Sequence, residues 1–390
     1  MKRPVYLDNH ATTPVDPRVA EAMWPYLVDH FGNPASTGHS FGWAAKEAVE
    51  LAREQVADLI GASPKEIVFT SGATESTNLA LIGSARANAH KGKHLVTLAT
   101  EHKATLDACE ALEAEGFETT VLPVLASGLV DLDVFRAALR SDTILVSVLM
   151  ANNEIGTLQP VAEIGKLCRE RGILFHTDVA QATGKCSVQV QEMSADLVSI
   201  TAHKMHGPKG IGALFVRRGR PRVQVSPLIH GGGQERGLRS GTLCTHQIVG
   251  LGRSCVFAAE ALENGEVARL QAMRDRLWTI LSEGIEGVGV NGGERFRLPN
   301  NLNVSIANVD AKALLMATRE VAVSSGSACA SASLTPSHVL QAIGASATEM
   351  HTAIRFGIGR FNTPEEIEFA GKLFVAKVHE VRAMAAEFGL

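Results

Sequence analysis

Seven polar residues, Thr74, His102, Asn153, Asp178, Gln181, His203 and Lys204, stand at or just past the ends of short apolar runs in this chain. If those runs are strands of an open α/β sheet, the seven converge on the rim where such sheets bind ligands, outside the strand carboxyl ends. Asp178 closes the run ending His176-Thr177-Asp178, and a buried carboxylate there requires a cationic partner. A protonated pyridine nitrogen is one, and keeping it protonated makes pyridoxal 5'-phosphate (PLP) an electron sink. Lys204, in Thr201-Ala202-His203-Lys204, offers an amine able to form a Schiff base. Ser71-Gly72-Ala73-Thr74 reads as a strand-to-helix turn, whose backbone N–H groups suit a phosphate. Singly, each residue has an ordinary alternative. Thr74 and Asp178 are also good caps, His102 also reads as a structural histidine, and a lone lysine is usually a surface one. The set carries the chemistry.

The elements that must position this set follow from periodicity. Apolar residues at 45, 48, 49, 52, 56, 59 and 60 predict a helix over 44–60, with Gly61 as its stop. Strand 67–69 leads to a helix from about Glu75, and strand 94–99 to a helix over 103–115. Strand 143–149 leads to a helix over 160–171, opened by Pro160 and followed by Gly172. Further strands are expected at 173–177, 196–201 and 211–216. Alternation of this kind implies a mostly parallel, helix-covered sheet. Past about residue 258 the texture changes. A helix over 264–284, strand-like 302–306 and 321–324, and a terminal helix near 364–384 suggest a smaller α+β domain. The expected division is a large α/β domain over 15–260 and a small domain formed by 1–14 and 261–390.

At 390 residues the chain suits two domains. A net charge of −4 gives no global basic field for nucleic acid. Arg217, Arg218, Arg220 and Arg222 form a local basic run, either a solvated loop or a docking patch for an acidic partner. No apolar stretch is long enough for a membrane span, and the first residues lack a signal-peptide pattern, so a cytoplasm-like compartment is expected. The six cysteines form no CxxC pair and suggest neither a disulfide framework nor a zinc site. No GxGxxG joins a strand to a helix and no GxxxxGK[ST] occurs, which disfavours nicotinamide and P-loop chemistry.

The segments Tyr6-Leu7-Asp8-Asn9-His10-Ala11-Thr12-Thr13-Pro14, Gly32-Asn33-Pro34, Phe69-Thr70-Ser71-Gly72-Ala73-Thr74-Glu75-Ser76, Thr100-Glu101-His102-Lys103 and Asn152-Asn153-Glu154-Ile155-Gly156 are found in this order. They continue with His176-Thr177-Asp178, Arg239-Ser240-Gly241-Thr242 and Ser324-Ser325-Gly326-Ser327-Ala328-Cys329. Together they resemble the class V aminotransferases, PLP enzymes of fold type I, and specifically the cysteine desulfurases of the IscS/NifS type. The resemblance implies PLP held on Lys204, which also serves as base for the α-proton. It implies His102 stacked on the pyridine ring, Asp178 on the ring nitrogen and Gln181 on the phenolic oxygen. Ala73, Thr74, Thr201 and His203 would hold the phosphate. Thr242 would reach the phosphate of a neighbouring subunit, which implies a homodimer. Asn153 and Arg355 would hold the substrate carboxylate, a task that suits the bidentate arginine fork.

The same resemblance makes Cys329 the sulfur acceptor, on a small-residue run that cannot bury a thiol firmly. It implies L-cysteine as substrate, L-alanine as product and a persulfide passed to an acceptor such as an iron–sulfur scaffold or a tRNA-thiolation relay. Cys244, near Thr242, stands where proline is common and is read as a second candidate thiol. Ala202 stands where relatives often have glycine, placing a methyl beside the phosphate; no role is assigned to Asn9-His10. Relatives commonly extend past the position of Phe388-Gly389-Leu390 with a scaffold-docking tail, so docking by such a tail is not expected. A selenocysteine lyase or aminotransferase of the same fold, and a non-catalytic binding module, are the alternatives.

Overall fold

A computed structural model describes residues 4–325 and 337–387. The strands are β1 (Val5–Tyr6), β2 (Ile67–Thr70), β3 (His94–Leu98), β4 (Glu118–Leu122), β5 (Thr143–Ser147), β6 (Leu174–Asp178), β7 (Leu197–Thr201) and β8 (Gly212–Val216). After these come β9 (Val288–Val290), β10 (Asn301–Ile306), β11 (Val321–Ala322), β12 (Ser324–Ser325) and β13 (Ala353–Gly357). Seven form one sheet in the order β2-β8-β7-β6-β5-β3-β4. β3, β4, β5, β6 and β7 pair in parallel, and β8 runs antiparallel to both of its neighbours. β2, β3, β5, β7 and β8 are buried along their whole length. That is why they read as continuous apolar runs rather than as alternation.

Helices cover both faces. One apolar cluster joins Val49, Val56 and Ile60 of helix Ser40–Ile60 to Phe69, Val146, Phe175 and Phe215. The other joins Leu79, Leu81 and Leu112 to Val68, Leu95, Leu145 and Leu214. The helix expected from Glu75 starts at Ala73, with Gly72 as its cap. A helix that the periodicity does not predict, Thr245–Glu263, adds Ile248, Leu251, Cys255 and Ala258 to the first cluster. The change of texture near 258 therefore falls inside a helix packed on the large sheet.

A second core lies apart from these. The four-stranded sheet β12-β13-β10-β9 packs with helices Glu266–Gly284 and Pro364–Glu387 around Leu277, Val304, Phe356 and Phe374. β1 pairs in parallel with β11, so Val5 and Leu7 join this core from the start of the chain. The expected strand over 321–324 is two short pairings to different partners, β11 to β1 and β12 to β13. The separate cores support a division into a large and a small unit. The boundary expected at 260 falls inside helix Thr245–Glu263, and we propose it at the break before helix Glu266–Gly284, with 1–14 joining the small unit. Among the described residues no helix is long and apolar enough to cross a membrane.

Candidate active site

The carboxyl ends of β2, β3, β5, β6 and β7 open onto a cleft of about 630 Å³. Ala73, Thr74, His102, Asn153, Asp178, Gln181, Thr201, His203, Lys204 and Arg355 all line it. Thr242 does not; it is exposed on the loop before helix Thr245–Glu263. Cys329 falls outside the described residues.

Asp178 is the last residue of β6 and accepts the Ala180 N–H at 2.8 Å. Burial pushes its carboxyl pKa up, against the Ala180 N–H and the charges of His102 and Lys204. A carboxylate in that position favours a cation brought by a ligand. His102 caps helix Lys103–Ala114, its Nδ1 accepting the Ala104 N–H at 3.1 Å. That bond puts the proton of a neutral ring on Nε2. Burial lowers the His102 pKa despite the pull of Asp178, so the ring is neutral at pH 7.

Lys204 ends a short turn after β7, and its Nζ donates to the carbonyl oxygens of His10 and of Ala11, the latter at 2.8 Å. His203 is bonded through Nδ1 to Thr12 Oγ1 at 3.2 Å. Burial, with Lys204, Lys209 and Lys185 nearby, pushes its pKa down to about 4. Ser71 N–H donates to Glu75 at 2.7 Å, and Arg239 pairs with the same carboxylate at 2.8 Å. Burial favours protonating Glu75, but Arg239 and Ser71 outweigh it and the pKa comes out lowered. Arg239 thus offsets the Glu75 carboxylate beside the start of helix Ala73–Asn78. Ala202 is buried in the large core and does not line the cleft. The expected methyl beside the phosphate is instead packed against Gly207, where a Cβ would come within 2.7 Å of it.

Two residues without an assigned role prove to be supports. His10 is buried, with Nδ1 at 2.9 Å from Gln181 Oε1, while Gln181 Nε2 donates to the His10 carbonyl at 3.0 Å. This reciprocal pair fixes the Gln181 amide. Asp8 pairs with Arg355 Nη2 at 3.0 Å, and Arg355 Nη1 donates to the Asn153 carbonyl at 2.9 Å. Arg355 is 1% exposed, and among the described residues its Nε has no partner. Both supports sit in the Tyr6-to-Pro14 segment. The resemblance of that segment was the only sequence signal for them, since nothing in its spacing predicts contact with residues so far along the chain.

The donor set fits PLP: a recessed acid for a ring cation, an amine for a Schiff base, and helix-start N–H groups with hydroxyls for a phosphate. Of the cysteines, Cys109, Cys168 and Cys255 are buried and Cys186 is half-buried, its thiol pushed up by burial to about 11. Cys244 is half-buried, 3.5 Å from the His246 ring, and burial raises its pKa too, which disfavours the thiolate a second reactive thiol needs. Arg217 pairs with Asp196 at 2.6 Å, and with Arg218 and Arg222 it lines a separate groove.

A family model described as aminotransferase class-V matches residues 5–369. Cysteine desulfurase IscS of Dechloromonas aromatica is 56% identical over 386 residues, spanning 99% of this chain and 95% of its own. A solved NifS-like protein is 37% identical with a TM-score of 0.89, covering 97% of this chain and all of that one. A structure described as SspA in complex with cysteine is 39% identical with a TM-score of 0.81, covering 92% of this chain and all of that one. Family match, identity and fold agree along nearly the whole length: the chain belongs to the PLP-dependent class-V aminotransferase family, in its cysteine desulfurase branch.

Proposed function

We propose that this chain takes sulfur from L-cysteine, releases L-alanine and holds the sulfur as a persulfide on Cys329. The observation that carries this reading is a single cleft lined by Lys204, His102, Asp178 and Arg355. Bound PLP supplies an electron sink for the α-carbon of an amino acid. Asp178 would pair with the ring nitrogen and favour its cationic form. Gln181, locked by His10, donates to the phenolic oxygen, while Ala73, Thr74, Thr201 and His203 take the phosphate. Lys204 Nζ would hold the cofactor as a Schiff base and would serve as the base for the substrate α-proton. The Arg355 hydrogens not committed to Asp8 and Asn153 grip the substrate carboxylate. His102, neutral with its proton on Nε2 and its Nδ1 bonded to the Ala104 N–H, would act as a proton donor to the substrate sulfur. The Cys329 thiolate then attacks the substrate sulfur. An S–S bond forms as the C–S bond breaks, and the electron pair returns to the carbon skeleton, which leaves as alanine after protonation.

The working unit in this reading is a homodimer. Thr242 is exposed and absent from its own cleft, and Trp24, Phe31, Phe41 and Trp43 present exposed apolar surface for a second copy. The compartment is cytoplasmic, and the persulfide passes to a protein acceptor of iron–sulfur assembly or tRNA thiolation. The test is C329S. It should keep the colour of bound PLP and form no persulfide from cysteine. Sulfide release at the full wild-type rate would refute the assignment of Cys329.

A further inference from the structure

Lys185 lies on the segment that follows Asp178 and Gln181, yet it does not line the cleft. It borders instead, with Lys204, Met205 and His206, a small separate void of about 20 Å³, room for about one water. The residue is 8% exposed, and its Nζ donates to the Lys204 carbonyl oxygen at 2.8 Å.

The surroundings give this ammonium no counterion of its own among the described residues. Glu266 borders the same void but is held by Arg360 at 2.9 Å, and Asp16 is held by Arg18 and Arg360. His206 borders the same void, and the pKa values of His10, His203 and His206 are all lowered, mainly by burial and in part by the Lys185 charge. Cys186, next in the chain, is a thiol with a raised pKa. Burial, helped by the charge of Lys204, lowers the Lys185 pKa to about 8, so it keeps most of its charge at neutral pH. A cation close to a second lysine disfavours a proton on it, a known way of activating a lysine.

We propose that Lys185 is a positioning residue for Lys204: its hydrogen bond fixes the Lys204 backbone, and its buried charge keeps the Lys204 nitrogen from holding a proton at neutral pH. The proposal rests on Lys204 as the PLP lysine.

Three variants test the charge, with and without a hydrogen-bond donor in its place. K185M removes donor and charge, K185Q keeps a donor without the charge, and K185R keeps both. The visible absorbance of the PLP-loaded protein, titrated with pH, reports the proton on the Lys204-bound nitrogen. K185M and K185Q should raise its midpoint by about one unit, tenfold in proton affinity, and K185R should leave it within about 0.3 units of wild type. An unchanged midpoint in folded K185M or K185Q overturns the proposal. If neither folds, the wild-type titration decides. Coupling to Lys185 must appear as a departure from a single-site curve around pH 8, and a single-site curve overturns the idea. A wild-type protein with no cofactor absorbance would instead remove the Lys204 reading itself.

Discussion

Asp178 and Arg355 face the same cleft, but they reach it in different electrostatic states. Asp178 is recessed with one backbone N–H, and burial works against its charge. Arg355 is more deeply buried, yet it arrives paired with Asp8 and the Asn153 carbonyl. The first wall leaves a need that the proposed cofactor's ring cation would fill. The second is balanced in advance and can give up its guest without stranding a charge. That contrast suits a cofactor that stays and a substrate that turns over.

Removing the charge at position 178 should break the contrast most. D178N should lower the rate of alanine formation on the order of 10³-fold, as loss of a preorganised electrostatic partner does. The KM for cysteine should change little, which steady-state kinetics would check. An equal loss in R355K would erase the distinction between the walls.

Next in size is a stability effect on the Arg355 side. Glu154 is 4% exposed and accepts from Ser337 Oγ; burial pushes its carboxyl up to about 7, against Ser337 and Arg355. The folded protein therefore binds this proton more tightly than the unfolded chain, whose carboxyl titrates near 4.5. The resulting stabilisation is full below pH 4.5 and is lost as pH rises through 7, by about 3 kcal/mol at most. The unfolding free energy of wild type minus that of E154Q, measured by denaturant titration, should fall by up to that amount across the window. A pH-independent difference would place the proton elsewhere.

The smallest effect sharpens the contrast from the substrate's side. R355K keeps a cation but loses the planar fork, so kcat/KM for cysteine should fall about 10- to 100-fold with cofactor content unchanged. Loss of bound PLP in that variant would show that the second wall also serves the first guest.

Much of the cleft could be read from sequence because parallel strands buried on both faces leave uninterrupted apolar runs, and their polar ends stand out. Asp178 and His102 were legible in this way. His10 and Asp8 were not, since they act on Gln181 and Arg355 across 171 and 347 positions of chain. Helix Thr245–Glu263 was hidden by its own packing. It is buried on several sides, which blurs the helical stripe. Gly250 and Gly252 look like breakers but let the helix approach Pro208 and Ala52. A Cβ at either position would lie within 2.8 Å of those residues. Local pattern identifies what a strand end can do; contacts made by closing distant segments leave no trace in spacing.

The ladder pairing of Ser324 with Arg355 sets a leash. Ser325 stands one position along from the arginine's partner, and four peptide steps of sequence separate it from Cys329. Fully taut, those steps span about 14 Å. With Cys329 carrying the sulfur as proposed, the side chain adds only a few ångströms to that span, so an acceptor has to nestle against this face of the enzyme rather than wait at arm's length.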